Sequence, residues 1–224
     1  MTVDNVPTKN RPSFPPVTRT IAVICLLVWL GQLFIPGVEQ AVLLTDQLGR
    51  WQPWRFITSA FAHSADLLQF PAEILSILWY VPHIAMNMLI LIGIGRFLEP
   101  ALGSARFLAL YLLSAIGGGL AFVIFTPGNY AVTGASGAVF GLFGALARFQ
   151  QRPDQGLLVL IGFNIAFGFM MPGIAWQAHI GGLLVGVAVA QIFTQSRTKN
   201  QTIIELAIFT ALLLAIGVLH YWLA

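Results

Sequence analysis

Long apolar segments are the feature that most constrains how this chain can fold. Hydrophobic residues make up 58% of the sequence and charged residues 8%, whereas a soluble domain carries about 25% charged residues. A helix that crosses a bilayer needs roughly 17–25 mostly apolar residues. Seven segments meet or approach that length: 20–36, 81–98, 105–126, 134–150, 156–172, 176–194 and 202–223. The sequence therefore predicts an all-α polytopic membrane protein surrounded by the lipid bilayer.

The basic residues indicate how these segments are oriented. Cytoplasmic loops of membrane proteins are enriched in Lys and Arg. With the N-terminus inside, nine of the eleven basic residues fall in inner segments, and the reverse orientation would place those nine outside. We therefore predict an N-in, C-out topology. The inner residues are Lys9, Arg11, Arg19, Arg96, Arg106, Arg148, Arg152, Arg197 and Lys199, and the outer ones are Arg50 and Arg55.

The same pattern divides the chain into three parts. Residues 1–18 are rich in Pro, Asn, Thr and Val and predict a disordered cytoplasmic arm. Residues 19–195 form the predicted transmembrane core, with a long outer loop at 37–80, and residues 196–224 form a loop and a seventh transmembrane helix. The net charge is +3, and the basic residues are spread over many loops rather than clustered, which argues against a nucleic-acid partner.

Four polar side chains are predicted to lie at one depth in the membrane. Ser136 opens the fourth segment within Gly134-Ala135-Ser136-Gly137, and His179 lies near the start of the sixth. His83 and Asn87 lie in the first two turns of the second segment. With a rise of ~1.5 Å per residue, all four fall within roughly 10 Å of the outer ends of their helices. Because polar residues inside a membrane are costly and often mark function, this shared depth indicates a site.

Small residues offer a way to bring two of these segments together. Such residues let membrane helices approach closely, although the same spacing is common in membrane helices that have no site. On the fourth segment, Gly137, Gly141 and Gly144 share one face. On the sixth, Gly182 and Gly186 lie on the face that carries His179. The pattern predicts a contact that places Ser136 within reach of His179.

The residue types suggest nucleophilic catalysis. A neutral histidine can accept the proton of a serine hydroxyl that attacks a carbonyl. No Asp or Glu lies near His179 on its own segment or on the fourth, so Ser136 and His179 would form a dyad. His83 and Asn87 are four residues apart and point from one helix face, where they could stabilise an oxyanion together with the Ser136 amide. Taken singly, each residue also has a structural interpretation in packing or interhelical hydrogen bonding.

Other site types fit less well. A zinc protease would show a cluster such as H-E-x-x-H, but no carboxylate follows His83 at ligand spacing, so we expect no metal and no cofactor. A G-x-S-x-G elbow belongs to a strand–helix turn in a soluble fold, which a membrane-length apolar segment does not provide. A transporter would need polar residues along a path through the membrane, and this sequence has few and no obvious inverted repeat.

These motifs resemble those of the rhomboid intramembrane serine proteases. The resemblance runs from about Trp54 to Gly186, and its motifs are highly specific in this order on these segments. They are Trp54-Arg55, His83-x-x-x-Asn87, Glu99-x-x-x-Gly103-x-x-x-Phe107, Gly134-x-Ser136-Gly137 and Ala178-His179-x-Gly181-Gly182-x-x-x-Gly186. The resemblance implies a six-helix rhomboid core with one appended C-terminal helix.

The resemblance also implies an activity. A rhomboid hydrolyses peptide bonds of single-span membrane proteins near the outer membrane face. The resemblance implies that Ser136 is the nucleophile and His179 the general base. It also implies that His83, Asn87 and the Ser136 amide form the oxyanion hole. Transmembrane proteins would be the substrates, and a bacterial plasma membrane suits the loop pattern; the oligomeric state and the substrate stay open. The alternative is a catalytically inactive rhomboid-like protein that binds client transmembrane helices, against which the intact Ser136 and His179 argue.

Two positions depart from the family pattern. Phe140 stands where many rhomboids carry a tyrosine that packs on the catalytic histidine, so it keeps a ring but loses a hydroxyl. The family commonly has another histidine about five residues before the equivalent of His83, whereas here the nearest is His63, twenty residues earlier. We interpret residues 65–82 as an insertion lying in the outer membrane interface, the alternative being a simple extension of the second segment.

Overall fold

Helices account for nearly all of the regular structure. The computed structural model describes residues 14–63, 73–126, 128, 130–150, 154–171 and 173–223, with the backbone alone for 73–80. The helices are α1 (Pro16–Phe34), α2 (Val38–Val42), α3 (Asp46–Trp51), α4 (Arg55–Thr58), α5 (Glu73–Leu102), α6 (Ser104–Phe125), α7 (Ser136–Phe149), α8 (Gln155–Met170), α9 (Trp176–Gln195) and α10 (Lys199–Leu223). A 3-10 turn (Ser59–Phe61) and two short strands, β1 (Leu44–Thr45) and β2 (Ala131–Val132), complete the described elements.

The lengths of the helices fit a membrane protein. Within the described residues, five helices are long and apolar enough to cross a membrane: α1, the Val81–Leu102 part of α5, α6, α9 and α10. Helices α7 and α8 are apolar but shorter. All seven coincide, to within a few residues, with the apolar segments of the sequence. The chain is therefore an all-α polytopic membrane protein, as its hydropathy predicts.

Glycines bring the central helices α6, α7 and α9 into backbone contact. A methyl group on Gly182 of α9 would overlap the carbonyl oxygen of Gly137 on α7, and one on Gly186 would overlap that of Gly141. On α6, a methyl group on Gly118 would lie 2.9 Å from the Ala178 carbonyl oxygen of α9. Each of these positions therefore requires glycine, because the backbone of the next helix occupies the space of a side chain.

A buried carboxylate holds the start of α1 against the end of α5. Glu99 accepts hydrogen bonds from the Val17 and Thr18 amides at 2.9 and 2.7 Å and from the Thr18 and Ser104 hydroxyls, both at 2.7 Å. First-turn amides have no acceptor within their own helix, so this carboxylate caps α1. The cap explains why the helix already begins at Pro16, inside the stretch 1–18 predicted as a disordered arm; residues 1–13 lie outside the described residues.

The loop that follows α1 is folded rather than irregular in its described residues, 35–63. The buried Arg55 guanidinium donates to the Gln40 and Leu43 carbonyls at 2.8 and 2.6 Å. Strand β1 pairs antiparallel with β2, with Leu44 opposite Val132. The Tyr111 hydroxyl of α6 donates to the Ala60 carbonyl at 3.0 Å. The Arg55 bonds hold the loop together, and the Tyr111 bond attaches it to α6. The strand pairing attaches it to the segment that leads into α7.

The predicted outer loop at 37–80 is too long at its C-terminal end. Helix α5 begins at Glu73 and continues past Pro82 without interruption. The apolar run from Ile74 to Tyr80 therefore extends the second segment, which favours the alternative over an interfacial insertion for residues 73–82. The remainder of the proposed insertion, at 65–72, lies outside the described residues.

The glycine contacts predict a sharp difference between two Gly→Ala substitutions. Gly186→Ala pushes a methyl group into the Gly141 carbonyl and should lower the stability by about 1–3 kcal/mol. Gly93→Ala is the matched control, because that position faces open space and alanine favours the helix by up to about 1 kcal/mol. Thermal unfolding in detergent micelles measures both, and equal melting temperatures would contradict the packing described here.

Candidate active site

The structure brings Ser136 and His179 together. Ser136 is the first residue of α7, and His179 lies in the first turn of α9. The His179 Nε2 atom lies 3.0 Å from the Ser136 Oγ atom, which is hydrogen-bonding distance. His179 is buried, whereas Ser136 is partly exposed. A serine hydroxyl in direct contact with a histidine ring nitrogen is an arrangement that nucleophilic catalysis can use.

The Phe140 ring fixes the plane of the histidine. It stacks on the His179 imidazole with ring centroids 4.2 Å apart and an interplanar angle of 6°. Phe140 follows Ser136 by one helical turn, so one face of α7 carries both the hydroxyl and the ring. Phe143 packs against the edge of Phe140 at 5.8 Å. Stacking uses only the aromatic face, so the phenyl ring performs this contact without a hydroxyl.

The second nitrogen of His179 is unpaired within the part of the chain that the structure describes. Its Nδ1 atom is buried and, among the described residues, has no hydrogen-bond partner. In a catalytic triad an aspartate occupies this position and orients the imidazole. Here, among the described residues, the stacked Phe140 ring lies against the imidazole. If Nε2 accepts from Ser136, the proton on the neutral ring resides on Nδ1.

His83 and Ser136 flank Gly134. A Cβ atom on Gly134 would lie 3.5 Å from the His83 Cε1 atom and 3.5 Å from the Ser136 Oγ atom. The Gly134 φ angle is +145°, a backbone conformation that residues other than glycine rarely adopt. The Gly134 amide donates a hydrogen bond to the Ser59 carbonyl at 2.9 Å. The glycine thus leaves a small space between the imidazole and the hydroxyl.

Asn87 lies one turn below His83 on the same face of α5. It is buried, and its Nδ2 atom donates to the His83 carbonyl oxygen at 2.9 Å. A side-chain amide carries two N–H groups, so this bond uses one of them. The predicted oxyanion-hole residues therefore differ in placement, because the His83 ring borders the space beside Ser136 whereas Asn87 bonds to its own helix.

Sequence reasoning missed the position of His63. Its side chain is fully buried, and its ring lies 5.5 Å from the His83 ring in an edge-to-face arrangement. The His63 amide donates to the Gln32 side chain at 3.0 Å. Burial, with a smaller effect from His83, lowers the pKa of His63 to about 3. Twenty residues separate the two histidines, so no local spacing could have paired them.

A polar cavity of about 220 Å³ lies next to the segments that lead into α7 and α9. Its lining includes Val132 and Thr133, which precede the serine motif, and Trp176 and Gln177, which precede His179. The amides of the first turn of α7 point out of the helix without intrahelical acceptors, and a helix N-terminus attracts negative charge. Among the described residues no cluster of three or more His, Cys, Asp or Glu side chains could hold a metal ion.

Comparisons with known proteins identify the family to which this chain belongs. A family model described as "Rhomboid domain" matches residues 50–196. The chain is 32% identical to "Rhomboid protease GluP" of Bacillus subtilis (strain 168) over 197 residues, which is 84% of this chain but 34% of that protein. It therefore spans only about a third of the length of that relative.

Two further relatives extend the comparison. "Putative rhomboid protease YdcA" of the same bacterium is 27% identical over 202 residues, covering 83% of this chain and 92% of that protein. "Rhomboid protease GlpG" of Yersinia pestis (strain Pestoides F) is 25% identical over 206 residues, covering 86% and 67%. The chain belongs to the rhomboid family of intramembrane serine proteases.

Proposed function

We propose that this chain is an active protease that hydrolyses peptide bonds of single-span membrane proteins near the outer face of a bacterial plasma membrane. The observation that carries the proposal is the 3.0 Å contact between His179 Nε2 and Ser136 Oγ, under a stacked aromatic ring. Ser136 is the nucleophile and His179 the general base. Family membership makes proteolysis the expected chemistry.

The first step follows from this contact. As the Ser136 Oγ atom attacks the substrate carbonyl, its proton moves to His179 Nε2. The imidazolium then donates that proton to the leaving amine, which releases one product and leaves an acyl group on the serine. Water repeats the attack with His179 again acting as base, and the free serine returns. The Phe140 stack supports this sequence because it keeps Nε2 aimed at Oγ throughout.

The oxyanion forms where donors are available. The Ser136 amide belongs to the unpaired first turn of α7, and the His83 ring borders the same space across Gly134. We assign both as direct oxyanion donors. Asn87 acts with them through its second N–H group, or by holding the His83 backbone in position through its bond to that carbonyl. One such donor is typically worth about 3–4 kcal/mol of barrier.

The length of α7 supports a site below the membrane surface. The helix has 14 residues and is therefore about 21 Å long, while the hydrocarbon core is about 30 Å thick. If Arg148 near its other end reaches the cytoplasmic interface, Ser136 lies roughly 10 Å below the outer surface. The polar cavity beside Trp176 and Gln177 supplies water at that depth and accommodates an unwound substrate segment.

Cleavage of a transmembrane reporter by the purified, reconstituted protein tests the proposal. Ser136→Ala should lower the rate by a factor of about 10⁴ or more, because the nucleophile is lost. Ser196→Ala, on the loop between α9 and α10, is the matched control and should cleave at the wild-type rate. Full activity of Ser136→Ala would overturn the mechanism.

The inactive, client-binding alternative is tested by the same preparation. A fluorophosphonate probe reacts with an activated serine, so the wild-type protein should be labelled at Ser136 and the His179→Ala variant should not. A folded wild-type protein that binds transmembrane helices but neither reacts with the probe nor cleaves them would favour the alternative.

The two candidate oxyanion residues should differ in their kinetics. His83→Ala removes a group that borders the reacting atoms, so kcat should fall by about 10²–10³ with little change in KM. Asn87→Ala leaves the His83 ring in place, and a fall in kcat no larger than about tenfold would identify it as a positioning residue. Equal losses of 10² or more in both variants would show instead that both donate directly.

The buried His63 predicts acid-sensitive stability. Its folded-state pKa of about 3 lies below the ordinary value of 6.5, so the unfolded chain takes up a proton that the folded chain excludes. Stability is unaffected above pH 6.5 and falls as the pH decreases from 6.5 towards 3, by at most about 1.4 kcal/mol per pH unit.

A variant isolates this contribution. Melting temperatures of the wild type and of His63→Phe are compared at pH 7.5 and pH 5, since all other titrating groups are common to both. The wild type should lose more stability on acidification than the variant. An equal loss in the two proteins would contradict the assignment.

A further inference from the structure

A second cavity lies away from the dyad, between the outer loop and the last helix. Its volume is about 480 Å³, which is within the range of about 300–1,000 Å³ that is typical of ligand sites. Helices α3 and α4 form one side, and α6 and α10 form the others. It shares no lining residue with the polar cavity next to the segments that lead into α7 and α9, so the proposed chemistry does not account for it.

The cavity has an apolar interior and a polar mouth. Phe56, Leu120 and Leu213 are buried side chains of its walls. Arg50 and Tyr221 also line it and carry the polar groups. The interior therefore suits a hydrocarbon chain, and the mouth offers the exposed Arg50 guanidinium, whereas the Tyr221 hydroxyl is buried.

Arg50 is free to receive an anion. Its side chain is exposed, and its guanidinium carbon lies 5.7 Å above the Trp51 ring. In the part of the chain that the structure describes, no carboxylate forms an ion pair with it. The nearby Asp46 carboxylate is instead 3.0 Å from His220. Arg is suited to bidentate contact with phosphate oxygens.

Aromatic residues place this mouth at the level of the lipid headgroups. Trp51 ends α3, Trp54 precedes α4 and Trp222 lies at the end of α10, and their side chains are 77%, 55% and 80% exposed. Tryptophan is enriched where a membrane protein meets the headgroup region. Arg50 therefore lies at the depth of phospholipid phosphates, and the apolar walls extend from there towards the membrane interior along α6 and α10.

The two sides of the cavity are held together. The Asp46–His220 pair joins α3 to the end of α10, so the seventh segment is docked on the outer loop. This contact also gives the His220 ring a partner within the protein. Contacts within the folded chain therefore hold the walls of the cavity in place.

We propose that this cavity binds one phospholipid, with an acyl chain between α6 and α10 and the phosphate on Arg50. Charge complementarity at headgroup depth selects a phospholipid over an uncharged lipid. The bound acyl chain would pack on Phe56 of α4. The 3-10 turn that follows α4 begins at Ser59, whose carbonyl accepts a hydrogen bond from the Gly134 amide, close to Ser136. Resting on the proposed function, the lipid also stabilises the loop that supports the dyad.

Native mass spectrometry of the protein, equilibrated with phosphatidylethanolamine and phosphatidylglycerol and then stripped with detergent, tests the proposal. Arg50→Gln should retain about tenfold less phospholipid than the wild type, because one charge-assisted contact is lost. Gly217→Leu should also lower retention, since its side chain fills the cavity and the nearest atom is the flexible end of Leu120 at 3.1 Å. Arg197→Gln and Gly93→Leu are the matched controls.

The results separate this proposal from the proposed protease activity. Selective loss of phospholipid in Arg50→Gln and Gly217→Leu supports it, provided that the lipid-free Arg50→Gln protein and the lipid-free controls melt at the temperature of the lipid-free wild type. Retention at the wild-type level in Arg50→Gln overturns it, as does a second protomer or a substrate helix occupying the cavity. Ser136→Ala should retain the lipid fully, so binding is measured independently of catalysis.

Discussion

Backbone-level contact between α7 and α9 is the interaction on which the rest of this structure depends. Helices in lipid have little hydrophobic reason to associate, so close packing must supply the attraction. Gly182 and Gly186 allow the carbonyl oxygens of Gly137 and Gly141 to occupy the space of their missing side chains. Because both contacts are backbone against backbone, the register of the two helices is set, and the first turn of α9 meets the first turn of α7.

That register creates a site from two helix ends. His179 contacts Ser136 directly, and the stacked Phe140 determines the plane of its ring. The segment before α7 is irregular, and backbone of this kind at membrane depth needs protein partners for its polar groups. The Ser59 carbonyl and the short β1–β2 pairing provide them. The outer loop is thus a structural support of the serine as well as a connection between helices.

Much of this could be predicted from local patterns. Hydropathy predicts the seven apolar helices because membrane-spanning segments follow a length rule, and their bounds agree to within a few residues except at the start of α5, which begins at Glu73. The spacing of the glycines predicts which faces meet, since i, i+4 positions share a side of a helix. The start of α1 could not be predicted in the same way, because its cap is Glu99, more than eighty residues away.

By itself, the sequence determined the helical membrane fold, the faces on which the polar residues lie and the chemical types available for a site. Only the tertiary structure decided that His63 packs on His83, that His179 Nδ1 has no hydrogen-bond partner among the described residues, and that α10 packs beside α3 and α4 around a cavity. The physical reason is one of range. Hydropathy and helical periodicity act over a few turns, whereas these contacts join side chains that are 20 to more than 170 residues apart and depend on how the helices pack.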